Sequence, residues 1–209
     1  MDAATSTFPT AKVLRHQQAT REAVLAALAD YPVMHFSCHG YANPGQPLDS
    51  ALVLANDARL TLGDLLGQRL VGSRLAVLSA CETALPGAEL PDEVVSLPTG
   101  LLQAGAAGVL GSLWSVPERA TALLMFQFYQ AWRIDREAPA QALQQAQAWV
   151  RDTANADMAE ELGRIARDPA HPMAAAASLL WRELLAVADL QAREHAHPYH
   201  WAAFTHIGA

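Results

Sequence analysis

The sequence predicts an α/β fold: a three-layer sandwich of helices around a mostly parallel central sheet. Two observations carry this. Three short apolar runs, at 33–37, 75–79 and 109–114, read as buried strands bounded by turn signals. Helical patterns alternate with them, as in sheets whose strands run parallel.

The elements follow in order. Lys12 to Arg15 is a short strand candidate. Thr20 is placed to cap a helix with Glu22 in its first turn and Val24, Leu25 and Leu28 on its apolar face. Tyr31-Pro32 stops that helix. Val33 to Ser37 is a strand that ends in Cys38-His39-Gly40, and a polar loop covers Tyr41 to Ser50. Ala51–Leu54 and Arg59–Thr61 form a hairpin around Asn56-Asp57, and Thr61 caps a short helix through Leu66. Leu75 to Ser79 is the second buried strand, ending in Ala80-Cys81-Glu82-Thr83. A polar loop from Leu85 to Asp92 leads to a helix over Glu93–Gly105, with Pro98 in its first turn or kinking it. Val109 to Trp114 is the third strand. Helices follow at about 118–133, 139–152, 156–167 and 173–194, and His200 to Ile207 is a final strand.

The chain of 209 residues reads as one domain, 1–209. Charged residues are 17% and hydrophobic ones 52%, which excludes general disorder. Fourteen Lys and Arg against 21 Asp and Glu leave a formal net charge of −7, so charge supplies no case for nucleic acid or an anionic membrane as partner. No run of ~18 uninterrupted apolar residues spans a bilayer, and Met1 to Thr10 lacks the pattern of a signal peptide. Two cysteines, Cys38 and Cys81, build neither a disulfide framework nor a four-cysteine zinc site. The expected compartment is the cytoplasm.

Two strands end in reactive residues, His39 and Cys81. The carboxyl ends of parallel strands share one sheet edge, where ligands bind. A His and a Cys there are the minimum for nucleophilic catalysis, the imidazole taking the thiol proton and the thiolate attacking a carbonyl. Gly40 lets a backbone N–H approach an oxyanion, and the N–H of Cys81 supplies a second donor. The plainer alternative is a loop histidine and a buried cysteine acting as a small hydrophobe.

His35-Phe36-Ser37-Cys38-His39-Gly40, Leu78-Ser79-Ala80-Cys81-Glu82-Thr83 and Gly111-Ser112-Leu113-Trp114-Ser115-Val116 occur in this order. With Glu93, Leu101, Ala104-Gly105-Ala106 and the closing His197-Pro198-Tyr199-His200-Trp201-Ala202-Ala203-Phe204, they resemble the CHAT domain. This is a caspase-like cysteine peptidase family related to separase and often fused to tetratricopeptide repeats. The likeness runs over about 13–208. It implies a caspase-like sandwich, His39 as base, Cys81 as nucleophile and hydrolysis of peptide bonds, with no metal or organic cofactor. His39 precedes Cys81 by 42 residues, an order and spacing of the caspase kind. The family usually has Gly where Ala84 stands, and its usual segment upstream of the first strand is missing, so the chain reads as a fragment or a truncated gene model. The implied partners are a protein or peptide substrate and a regulatory repeat or sensor domain. In separase-like relatives an acid four residues after the Trp serves a basic-residue pocket. Here that position is Glu118, which also follows Pro117 at a helix start, where acids suit the dipole.

The remaining candidates read as structural. Strand alternation turns Cys38 into the core, away from His39. Glu82 is structural, and Asp49 and Ser50 are solvated loop residues, although they could line a cleft. His195, His197, His200 and His206 crowd the C-terminus without a carboxylate or cysteine completing a metal spacing, and His200 and His206 would share a strand face. Trp114 and Trp201 are core residues, and Gly105 and Gly108 make no phosphate loop. The leading reading is a caspase-like cysteine endopeptidase. Its alternative is a catalytically silent interaction or regulatory domain with the same fold, and a redox or metal-binding module stands third.

Overall fold

The computed structural model describes residues 2–43, 45–79 and 96–209. They fall into two compact units: a sheet unit of Val13–Ser115 with Phe204–Ala209, and a helical unit of Met1–Lys12 with Val116–Ala203.

The first helix, α1 (Asp2–Ser6), belongs to the helical unit. Residues 12–15, expected as a strand, are irregular and run into a 3-10 turn at His16–Gln18. A strand persists only where a neighbour takes up its backbone groups, and among the described residues none pairs here. Helix α2 (Arg21–Leu28) starts as predicted, Thr20 Oγ1 accepting from the Ala23 N–H at 3.2 Å, and it buries Val24 and Leu28. Strand β1 (Val33–Phe36) follows.

The expected loop at Tyr41 is a strand instead. His39–Tyr41 forms β2, laddered against β3 (Ala51–Val53), which pairs in turn with β4 (Arg59–Thr61). Three residues are too short to show a period, and β2 exists because β3 supplies its partner groups. Ser50, expected in solvent, is buried and its Oγ accepts the Asn43 N–H at 2.9 Å, closing the loop between β2 and β3. The β3–β4 hairpin turns where predicted. Asn56 and Asp57 take positive φ of 57° and 58°, a region these two side chains tolerate better than most. Helix α3 (Leu62–Leu66) opens with a capping box between Thr61 and Asp64.

Strand β5 (Leu75–Leu78) precedes the residues that are not described. Helix α4 (Leu97–Gln103) is shorter than the predicted 93–105, because Ser96 is its N-cap. Pro98 then falls in the first turn, where its missing N–H costs nothing. Gly105 ends that helix at φ +112°, and a Cβ there would meet the Leu70 backbone at 3.3 Å. Strand β6 (Gly108–Ser112) stops two residues before the predicted Trp114.

The main sheet has the order β1-β5-β6-β7, with β7 (Phe204–Gly208) antiparallel to β6 and the other three strands parallel. The fold is thus α/β with a mostly parallel sheet, as predicted. Met34, Ala76, Leu78 and Val109 pack on one face with Val24, Leu28, Leu62, Leu65, Leu97 and Leu101 of α2, α3 and α4. His35, Val77, Leu110 and His206 are register partners across all four strands on the other face.

The helical unit continues with α5 (Glu118–Tyr129), a π turn at Gln130–Ile134, α6 (Pro139–Asp152), α7 (Asn155–Ala166), α8 (Ala174–Leu185) and α9 (Pro198–Trp201). Helix α8 ends well before the predicted 194. The chain beyond it serves the start of α7: the Asn155 and Ala156 N–H groups donate to the Ala192 and Leu190 carbonyls at 3.0 and 2.7 Å. Those donors have no partner within their own helix, and the turns that follow α8 bring carbonyls to them. Phe8, Phe128, Tyr129 and Trp132 form an aromatic cluster with centroids 5.2–6.4 Å apart.

Candidate active site

Because β1 and β5 run parallel, their carboxyl ends lie at one edge of the sheet. A small polar latch joins them. The Ser79 N–H and hydroxyl both donate to the Phe36 carbonyl, at 3.0 and 3.1 Å, and His35 Nε2 lies 2.7 Å from Ser79 Oγ. With the hydroxyl proton on Phe36, His35 donates from Nε2–H to the serine oxygen. Burial pushes the His35 pKa down to about 3, so the ring is neutral at physiological pH. Sequence reasoning quoted His35 and Ser79 only as letters of motifs. Strand parity carries the missed signal: His35 is opposite Val77 and Ser79 is two residues further, so both point to one face.

Three residues past Phe36, His39 opens β2 opposite Val53. His39 and Tyr41 are exposed on the outer face of the small sheet, whereas its inner face carries the fully buried Leu52 and Leu60. Gly40 lies between them, half-buried and extended. Cys81, the expected nucleophile and second oxyanion donor, lies outside the described residues, as do Glu82, Ala84 and Glu93.

The other thiol packs against the core, as its strand position predicted. Burial pushes the Cys38 thiol up to about 11, so it carries almost no thiolate at neutral pH.

Glu118 is the exposed first residue of α5, in the helical unit, and makes no ion pair with any described residue. Pro117 is the N-cap of that helix rather than its first residue. Asp49 is exposed at the end of a 3-10 turn.

The histidine cluster is divided. His200 lies in α9 and not on a strand, so it shares no strand face with His206. His195 is 3% exposed, neither of its nitrogens has a partner among the described residues, and its ring meets the His200 edge at 5.3 Å. Burial lowers its pKa. His197 caps α9, its Nδ1 accepting the Tyr199 N–H at 3.2 Å. Among the described residues no group of three or more His, Cys, Asp or Glu is arranged to hold a metal ion. Trp114 and Trp201, expected in the core, are half-buried, and Arg151 stacks on Trp201 with its carbon 5.3 Å from the ring.

A family model, the CHAT domain, matches residues 1–209. The chain belongs to the CHAT domain family. That family is caspase-like, which agrees with the mostly parallel sheet of this CHAT domain. Among curated proteins no match to the chain is found. No helix among the described residues is long and apolar enough to cross a membrane.

Proposed function

We propose that this CHAT domain is a cysteine endopeptidase that hydrolyses protein substrates in the cytoplasm through His39 and Cys81. The observation that supports the reading best is the latch between β1 and β5. It ties two parallel strand ends together, and the chain continues from one to His39 in three residues and from the other to Cys81 in two.

In this mechanism His39 removes the Sγ proton and the thiolate adds to the scissile carbonyl. The backbone N–H groups of Gly40 and Cys81 receive the oxyanion. Collapse breaks the C–N bond, and the leaving amine takes the proton from His39. Water, deprotonated by His39, then adds to the thioester, the acid leaves and Cys81 is restored. The steps consume only water, so they require no cofactor. A regulatory repeat or sensor partner would control access, and Glu118 would favour Arg or Lys before the cleaved bond by a charge-assisted contact.

Cys81→Ala and His39→Ala should each lower turnover by at least about a hundredfold, since a positioned base contributes 10²–10⁴. Melting temperatures should stay close to that of the parent. A peptidyl electrophile should label Cys81 before Cys38, and His39→Ala should slow the labelling. In peptide-library profiling, Glu118→Gln should weaken a basic preference at the residue before the bond. A folded chain whose two thiols react alike and which cleaves nothing returns the protein to the silent scaffold reading.

A further inference from the structure

The outer face of the small sheet holds more than His39. Arg59 stands on β4, opposite Val53, which is opposite His39. Its guanidinium carbon nevertheless lies 4.4 Å from the centroid of the Tyr41 ring, on β2. Strands are about 4.8 Å apart, so the two side chains meet across β3 and tie β4 to the strand that carries His39. Tyr41 is two residues along from His39 and on the same face, about 7 Å away along the strand.

The positive charge is therefore held on the face that carries His39 by stacking on the Tyr41 ring, which leaves the planar N–H fork free at its edges. Arg59 is exposed and makes no ion pair with any described residue, Asp57 and Asp49 included. A stacked guanidinium with open edges is built to take a carboxylate in a two-point contact.

The chemistry of the dyad fixes which part of a substrate would meet it. The base that took the thiol proton returns it to the leaving amine, so His39 stands on the leaving-group side of the bond. On that side β2 leads from His39 to Tyr41. We propose that Arg59, braced by Tyr41, is a subsite for a carboxylate within the first three residues after the scissile bond, an assignment that rests on His39 being the base. The carboxylate is either an Asp or Glu side chain or the carboxyl terminus of a short substrate.

Internally quenched peptides with Glu, Gln or Lys at each of those three positions test this. A second pair, ending three residues after the bond with a free or an amidated terminus, separates the two sources. The full chain should cleave the Glu peptide, or the free-terminus peptide, about five- to tenfold faster in kcat/KM than its neutral counterpart. The advantage should shrink as salt is raised. Arg59→Glu should reverse it in favour of Lys. Tyr41→Phe should keep most of the preference and Tyr41→Leu should lose it, since the ring and not the hydroxyl braces the charge. Equal rates for charged and neutral peptides, or a preference that survives Arg59→Glu, overturn the subsite and leave the dyad standing. If the folded chain cleaves nothing, the dyad reading falls, and the same peptides carrying a fluorophore report binding by anisotropy. Glu-selective binding lost in Arg59→Glu retains the subsite, and equal binding overturns it as well.

Discussion

Two regions, the edge of the sheet unit and the aromatic cluster of the helical unit, are held by different kinds of contact. At the edge of the sheet unit, His35, Ser79 and Phe36 complete one another's hydrogen bonds, and Arg21 holds Asp64 while Asp64 closes the capping box of α3. The aromatic cluster of the helical unit relies on volume: Phe126, Phe128 and Tyr129 are fully buried, and Phe8 and Trp132 pack on Tyr129 through ring contacts. Apolar packing is tolerant of direction and hydrogen bonds are not. On the function proposed above, the sheet unit holds two reactive residues at a defined separation, and it gains more from the second kind of contact. The latch at Phe36, three residues before His39, is a contact of that kind.

Substitutions sharpen the contrast, beginning with the largest effect. Phe128→Ala removes a fully buried ring that touches Tyr129 and Trp132, and should cost about 3–5 kcal/mol in denaturant unfolding. A loss under about 1 kcal/mol would mean that the aromatic cluster is loosely packed and that the contrast is misplaced.

Acid should weaken the sheet unit next. The folded pKa of His35, about 3, lies below its unfolded value of 6.5. The unfolded chain therefore binds the proton more readily across that interval, and stability falls as pH drops below 6.5. By pH 5 the loss should be no more than about 2 kcal/mol, at 1.36 kcal/mol per unit, and His35→Gln should flatten this limb of the curve. A second decline belongs to Asp64, which its hydrogen bonds to Arg21 hold at about 2 against the usual 3.8. Its contribution is complete above 3.8 and is lost as pH falls toward 2. Asp64→Asn should remove this second decline and leave the first. Thermal melts from pH 7 to 2 read both.

The smallest effect on stability should come from Ser79→Ala, about 1–2 kcal/mol for a half-buried hydroxyl with two partners. Its kinetic effect should be out of proportion, roughly tenfold in kcat with KM little changed, because the latch sets where the two strand ends lie. Ser79→Thr keeps the hydroxyl and suits a strand, and should restore most of the rate. A KM increase at unchanged kcat would make the latch part of substrate binding instead.

Much of the fold was legible before any coordinate. The caps at Thr20 and Thr61, the Asn56-Asp57 turn and the apolar runs of β1, β5 and β6 rest on local rules that act within a few residues. Of the candidate site, His39 could be placed just past a strand end and Cys38 on the core side from parity alone, where it packs partly buried against the core. Cys81 remains an assignment from sequence and from the chemistry expected of it.

What the chain determined by itself was periodicity, capping and the order of its motifs, all properties of neighbouring residues. Tertiary structure decided the rest. Three residues at His39 become a strand only because β3 arrives to pair with them, and beyond the end of α8 at Leu185 the carbonyls of Leu190 and Ala192 satisfy the first N–H groups of α7. In the same way, a guanidinium on β4 comes to lie on a ring of β2. In each case the partner is distant in sequence, and a backbone group or a charge takes the conformation in which its hydrogen bonds and contacts are met, whatever its local pattern favours.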